Sequence, residues 1–162
     1  MLAVDPGTTR SAICRLSPGG APECERMENA ALLRRLRGAS ECGDPAILVI
    51  EQVEHYGTGM PIGRDVLETV YWSGRFCEAW ESGGGRVERL PRRTVKLNLC
   101  GTSRAKDKNI RQALIDRWGG QEAAIGRKAT AGPLYGIAGD EWAATAVAVT
   151  YLDQGGVAGG ST

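Results

Sequence analysis

Two short apolar segments, each leading into a carboxylate, constrain the fold of this 162-residue chain more than any other feature. The first is Leu2-Ala3-Val4-Asp5, after which the chain turns at once on Pro6-Gly7. The second is Ala46-Ile47-Leu48-Val49-Ile50, which leads into Glu51. Such runs are typical of strands buried on both faces of a parallel sheet. Because ligand sites in open α/β sheets lie beyond the carboxyl ends of the strands, we expect Asp5 and Glu51 to share a site.

A third acidic position lies at the start of the last predicted helix, from Gly139 to Leu152. Asp140 and Glu141 fall in its first turn, where acids also complement the helix dipole. Alanines 143, 144, 146 and 148 form a small face, which lets this helix pack closely against a sheet. We expect its N-terminus to lie near the two strand ends. For Asp5, the alternative is a strand that simply ends on a turn-favouring residue.

Carboxylates that converge from two strands and one helix repel one another unless cations lie between them. Oxygen-only ligands favour Mg²⁺ or Mn²⁺ over zinc. Two such ions, about 4 Å apart, activate a water and stabilise the leaving oxygen of a phosphodiester. We therefore expect Asp5, Glu51 and one or both of Asp140 and Glu141 to be metal ligands, and which of the last two is the third ligand stays open.

The rest of the chain alternates strand and helix patterns. Further strands are predicted over 11–16, 23–27 and 87–90, helices over 30–37, 64–82 and 105–118, and loops over 38–45 and 55–63, with a flexible segment over 121–136. Helix 64–82 carries Val66, Val70, Phe76, Cys77 and Trp80 on the side expected to be buried. Its aromatic residues suit either the core or a subunit interface.

The composition excludes several classes of protein. A chain that is 42% hydrophobic fits one compact domain. An odd number of cysteines (five) without a CxxC spacing argues against a disulfide framework or a thiolate zinc site. The single histidine, His55, offers little to a histidine-rich metal site. No stretch is apolar enough to cross a membrane and no signal segment is evident, so we expect a soluble, cytoplasmic protein.

Four blocks of sequence resemble the RuvC family of Holliday-junction resolvases, which have the RNase H-like fold, and look closest to its phage-type members. The blocks are residues 2–7, 49–53, 95–96 together with 101–110, and 140–146, in the order and spacing of the family. The resemblance implies an α/β domain over 1–153, with a mixed five-stranded sheet and helices on both faces, followed by a disordered tail over 154–162. It also implies a homodimer built around helix 64–82 and, for a phage protein, the host cytoplasm.

The activity that this resemblance implies is metal-dependent cleavage of branched DNA by paired nicks. Asp5, Glu51 and Asp140, assisted by Glu141, match the catalytic acids, and Lys106 matches a catalytic-site lysine near the scissile phosphate. One position departs from the family, whose last helix usually carries a second metal-binding side chain three residues after the first. That position is Ala143 here. Either Asp140 and Glu141 suffice, or the chain is catalytically impaired.

Basic residues between 86 and 117 are the candidate DNA contacts, although the net charge of the chain is only +1. Lys96, Arg104, Lys106 and Lys108 are expected to bind phosphates, with an ordinary solvated surface as the alternative. Tyr56, in a loop with three glycines, is the candidate for stacking on exposed bases at the junction centre. A chance aromatic residue in a mobile loop is the other interpretation.

Two alternatives to a junction resolvase stay open at this point. One is another RNase H-like nuclease, acting on RNA–DNA hybrids or simple branches, which predicts a monomer without junction preference. The other is a catalytically impaired junction-binding protein, which the absence of an acid at position 143 favours. A shared fold alone does not decide between them.

Overall fold

The computed structural model describes residues 1–41, 47–54 and 61–155, with the side chains of 40 and 41 excepted. Its elements are β1 (Leu2–Asp5), β2 (Arg10–Arg15), β3 (Glu23–Glu28), α1 (Asn29–Glu41), β4 (Ile47–Gln52), α2 (Arg64–Glu81), β5 (Arg86–Pro91), α3 (Arg92–Cys100), α4 (Asp107–Arg117), α5 (Gln121–Ala124), β6 (Gly126–Arg127), β7 (Thr130–Ala131) and α6 (Glu141–Asp153). Tyr56 and the end of the expected tail, 156–162, lie outside the described residues.

Five strands form one mixed sheet in the order β3-β2-β1-β4-β5. The first three strands are antiparallel neighbours, whereas β1, β4 and β5 run parallel. Of these three parallel strands, β1 and β4 are the two apolar runs identified in the sequence, and β5 is the strand that follows α2. Their carboxyl ends therefore meet at one edge of the sheet, which confirms the predicted arrangement of β1 and β4.

Helices cover both faces of the sheet, as expected. Alternate side chains of β1 face opposite sides, with Leu2 and Val4 in one core and Ala3 in the other. The first core is closed by α1 and α2, which also pack on each other. The second is closed by α6 together with α3 and α4. The α/β class with a mixed five-stranded sheet and helices on both faces is thus confirmed.

Helix α6 packs on the sheet through a side that includes several alanines. Ala144, Ala146 and Ala148 are almost inaccessible and pack in the core beside Ala3 and Val49. The helix contacts β1 and β2 over their length. Its N-terminus is thereby held beside the carboxyl end of β1.

Three local predictions were wrong. Helix α1 continues through Gly38 to Glu41, where a loop was expected; three buried leucines at 32, 33 and 36 stabilise it, and one helical glycine costs only about 1 kcal/mol relative to alanine. Val70 is 48% exposed rather than buried, since α1 and the sheet cover a different side of α2.

The third wrong prediction concerns segment 121–136, which is ordered rather than flexible. It contains α5 and the two-stranded ribbon of β6 and β7. Leu134 is fully buried, and its N–H donates to the carbonyl oxygen of Ala124 at 2.8 Å. At Gly132 a Cβ would run into the backbone of residues 123 and 124, so only glycine permits this close approach. The burial of Leu134 fixes a segment whose composition indicates a loop.

Among residues 1–41, 47–54 and 61–155, no helix has both the length and the apolar character needed to span a membrane.

Candidate active site

Asp5 and Glu51 lie side by side at the carboxyl edge of the sheet. Strands β1 and β4 are parallel and paired through Val4 and Ile50, the residues immediately before the two acids. Val4 and Ile50 both face the α1–α2 core. Since side chains alternate along a strand, Asp5 and Glu51 both point to the opposite face, toward α6, α3 and α4. The two acids predicted from separate segments therefore share one side of one sheet edge.

The turn that follows Asp5 is held by a buried polar network. The N–H of Gly7 donates to Ser11 Oγ at 3.1 Å, and the Ser11 hydroxyl donates to Asn29 Oδ1 at 2.7 Å. The Asn29 amide in turn donates to the Gly7 carbonyl oxygen at 2.9 Å. Ser11 and Asn29 are each only 1% exposed. The Asn29 side chain thus fixes the backbone at Gly7, two residues after Asp5.

The electrostatics around Asp5 favour its protonated form in the absence of a cation. Burial, followed by the nearby charge of Glu51, raises the pKa of Asp5 from 3.8 to about 8, and Arg92 only partly opposes this. Burial also raises the pKa of Glu51, again against the effect of Arg92. Asp140 adds to the effect on Asp5. The carboxylates therefore lie where a bound cation would stabilise their charged forms.

Arg92, which sequence reasoning missed, supplies the positive charge in this site. Its Nη1 donates to both carboxylate oxygens of Glu51, at 3.0 and 2.8 Å. Its Nη2 donates to Asp107 Oδ1 at 2.5 Å. The Glu51 side chain is only 12% exposed, whereas that of Asp107 is 84% exposed. One guanidinium therefore joins a buried acid of β4 to a surface acid of α4.

A signal for Arg92 was present in the sequence. Arg92 directly follows β5, the parallel neighbour of β4, so it emerges at the same edge as Glu51. Asp107 directly follows Lys106, which had been identified as a site residue, and it is the first residue of α4. Neither position could be assigned to the site without knowing which strand lies next to β4.

The structure separates the two acids at the start of α6. Asp140 immediately precedes the helix and is about half exposed, and its Oδ2 lies 3.0 Å from Nε of Arg26 on β3. Glu141 instead accepts a hydrogen bond from the N–H of Ala138 at 2.8 Å, which closes its own helix turn. The structure thus brings Asp140 to the same pocket as Asp5 and turns the Glu141 carboxylate to the backbone.

A small pocket lies between the strand ends and the three helices. It is lined by Asp5, Arg92, Asp107, Ile110, Gly139, Asp140, Trp142, Ala143 and Ala146. Ala143 forms part of the wall on the α6 side, where the sequence lacks the expected acid. Asp107 lines the same pocket from the α4 side.

The donor set fits a divalent cation by its chemistry. Asp5, Glu51 and Asp140 offer carboxylate oxygens only, which suits Mg²⁺ or Mn²⁺. Among the described residues, no three acidic, histidine or cysteine side chains already surround a point as metal ligands would. The carboxylates of Glu51 and Asp140 are instead paired with Arg92 and Arg26.

The predicted basic residues lie on α3, at the start of α4 and in the segment between these helices. Lys96 is half-buried on α3 and close enough to lower the pKa of Glu51, although burial outweighs it. A neighbouring groove is lined by Arg92, Arg93, Lys96 and Ser103. Lys106 precedes α4, and its N–H donates to Asn109 Oδ1 at 3.0 Å. Arg104 and Lys108 are exposed nearby in sequence.

No protein-family model matches the sequence, and no curated protein matches it either. Among solved structures, the chain is similar to RuvC of Thermus thermophilus, with a TM-score of 0.64 and 16% identity over 96% of this chain and 97% of that one. It is also similar to T. thermophilus RuvC in complex with a Holliday junction substrate, with a TM-score of 0.65 and 16% identity over 95% and 93% of the two chains. The chain therefore has the RNase H-like fold in the form found in RuvC.

Proposed function

We propose that this protein is a structure-selective endonuclease that resolves four-way DNA junctions by metal-dependent hydrolysis. The observation that carries the proposal is the convergence of Asp5, Glu51 and Asp140 at one edge of a sheet whose fold is similar to RuvC over nearly the whole chain. One of the similar structures contains a Holliday junction substrate.

Asp5, Glu51 and Asp140 would hold Mg²⁺ or Mn²⁺, two ions per site, which supply an activated water and stabilise the leaving oxygen. Asp5 is the central ligand in this proposal because it is buried and the charges of both Glu51 and Asp140 raise its pKa. The rigid turn at Gly7 keeps its carboxylate in one position. Arg92 pairs with Glu51, so it would compete with a cation for this carboxylate.

The DNA backbone would lie along the basic surface of α3 and the start of α4. Lys96 lies next to Glu51, and Lys106 lies next to Asp107 in the chain. We propose that these two lysines contact the phosphates nearest the cleaved bond, and that Arg104 and Lys108 contact phosphates further away. Tyr56 remains the candidate for base stacking.

We propose a homodimer that docks through α2. Leu67, Val70 and Tyr71 are 57%, 48% and 55% exposed on one part of this helix. Ile62, just before the helix, is also exposed. A patch of this kind on a small domain commonly marks an interface. Two sites related by a two-fold axis would match a four-way junction and would produce paired nicks.

A second candidate function is junction binding without cleavage. It is favoured by Ala143, where the resemblance leads one to expect an acid, and by the ion pairs that engage Glu51 and Asp140. In this case the protein would bind branched DNA tightly, and metal ions would not induce nicks.

The test is cleavage of a labelled synthetic four-way junction by the full chain. Linear duplex and an RNA–DNA hybrid serve as competing substrates, with Mg²⁺, Mn²⁺ or a chelator present. We expect paired nicks on the junction that require metal and are lost in Asp5→Asn. Binding without nicks would favour the second candidate, and equal action on all three substrates would overturn junction resolution.

A further inference from the structure

Helix α6 lacks an acid at Ala143, but another acid lines the same pocket. We propose that Asp107, at the start of α4, supplies the fourth carboxylate of the metal site in place of the one that α6 does not carry. This inference rests on the proposed function, since it concerns the cations of that site.

The position of Asp107 supports this role. It lines the pocket together with Asp5, Asp140 and Ala143. Asp107 also shares the Arg92 guanidinium with Glu51, so one side chain bridges the two carboxylates. A cation placed among Asp5, Glu51 and Asp140 would therefore lie within reach of Asp107 after a change of side-chain conformation.

The pairing of Arg92 with Glu51 and Asp107 should affect metal binding in a way that can be measured. The single positive charge of Arg92 is shared between Glu51 and Asp107. Because Arg92 donates to both oxygens of Glu51 and to one of Asp107, we expect it to compete with the metal for these carboxylates. We therefore expect Arg92→Gln to strengthen metal binding, whereas Asp107→Asn weakens it.

The chain contains a matched control for Asp107. Asp65 is the first-turn acid of α2, as Asp107 is of α4, so both complement a helix dipole. Asp65 does not line the pocket. Asp65→Asn therefore reproduces the loss of one helix-start carboxylate without touching the site.

The experiment is a titration of the full chain with Mn²⁺, followed by electron paramagnetic resonance of the free ion. Removal of even an indirect metal partner weakens binding by about 10–100-fold, so Asp107→Asn should weaken at least one Mn²⁺ by about tenfold or more. Asp65→Asn should bind like the wild type. The double variant Asp107→Asn/Ala143→Asp should recover Mn²⁺ binding, since position 143 of α6 then supplies a carboxylate. Circular dichroism checks that each variant is folded.

A positioning role through Arg92 is separated by a double variant. If Asp107 acted only by holding Arg92, Asp107→Asn would have no effect on Mn²⁺ binding in an Arg92→Gln background, and that result would overturn the proposal. So would equal affinities in Asp107→Asn and Asp65→Asn. If instead the wild type bound no Mn²⁺ and did not cut junctions, the proposed function itself would fail.

Discussion

At the scale of single residues, the site depends on how rigidly Asp5 is presented. Gly7 is needed because a Cβ at this position would collide with the carbonyl oxygen of Arg10. The polar network through Ser11 and Asn29 then fixes the same turn from the other side. The tight turn was evident from Pro6-Gly7, but its anchoring by Asn29 depends on where α1 begins.

Gly7→Ala should destabilise the protein by about 1–3 kcal/mol, since backbone and not a flexible side chain has to move. Denaturant unfolding measures this change. Gly38→Ala is the control, because a Cβ there meets nothing within 4 Å and α1 gains about 0.5–1 kcal/mol from alanine. Equal stability of the two variants would contradict the steric argument.

The raised pKa of Asp5 predicts an unusual pH dependence for the metal-free protein. Between its ordinary pKa of 3.8 and its folded value of about 8, folded Asp5 keeps a proton that the unfolded chain has released. The free energy of unfolding should therefore fall as the pH rises through this window. Unfolding in chelator from pH 5 to 8 checks this, with Asp5→Asn as the reference. Parallel profiles for the two proteins would exclude Asp5 as the cause.

At the scale of secondary-structure elements, the spacing between α6 and the sheet decides where Asp140 lies. The alanines of α6 pack directly on β1 and β2. The alanines of this helix were enough to predict, from the sequence, that it packs closely against the sheet. The different orientations of Asp140 and Glu141 could not be predicted in this way, because they depend on Arg26 of β3 and on the local backbone at Ala138.

Ala148→Leu should cost about 1–3 kcal/mol, because Ala148 is fully buried in the core and a larger side chain there has to displace its neighbours. We also expect a loss of Mn²⁺ affinity, since α6 has to move and carries Asp140 with it. Ala30→Leu is the control, as Ala30 is exposed on α1. Thermal unfolding and Mn²⁺ titration measure the two effects, and unchanged metal affinity in a destabilised Ala148→Leu would contradict the coupling.

At the scale of the whole molecule, one side of α2 carries large apolar side chains that stay exposed in the fold. Phe76, Cys77 and Trp80 are buried in the core as the sequence predicted, whereas Val70 faces outward with Leu67. An apolar pattern cannot distinguish a core from an interface, because both exclude water from the same kinds of side chain. The position of α1 decided which side of α2 is buried.

Leu67→Glu should shift the proposed dimer to monomer, since it places a charge within an apolar interface. Analytical ultracentrifugation at several protein concentrations measures the association. Leu97→Glu is the matched control, because Leu97 is a similarly exposed leucine on a different helix, α3. A wild type that is monomeric at all concentrations, or equal weakening by both variants, would overturn the role of α2.

The sequence by itself determined the parallel strands, the acids at their ends and the alanine-rich last helix. These features depend on short local patterns. The hydrophobic period of each pattern indicates the type of element and the side that is buried. Only the tertiary structure decided that Arg92 and Asp107 join the site and that Glu141 points away from it. Arg92 and Glu51 are 41 residues apart in the chain, and contacts over such separations depend on strand order and helix placement rather than on local pattern.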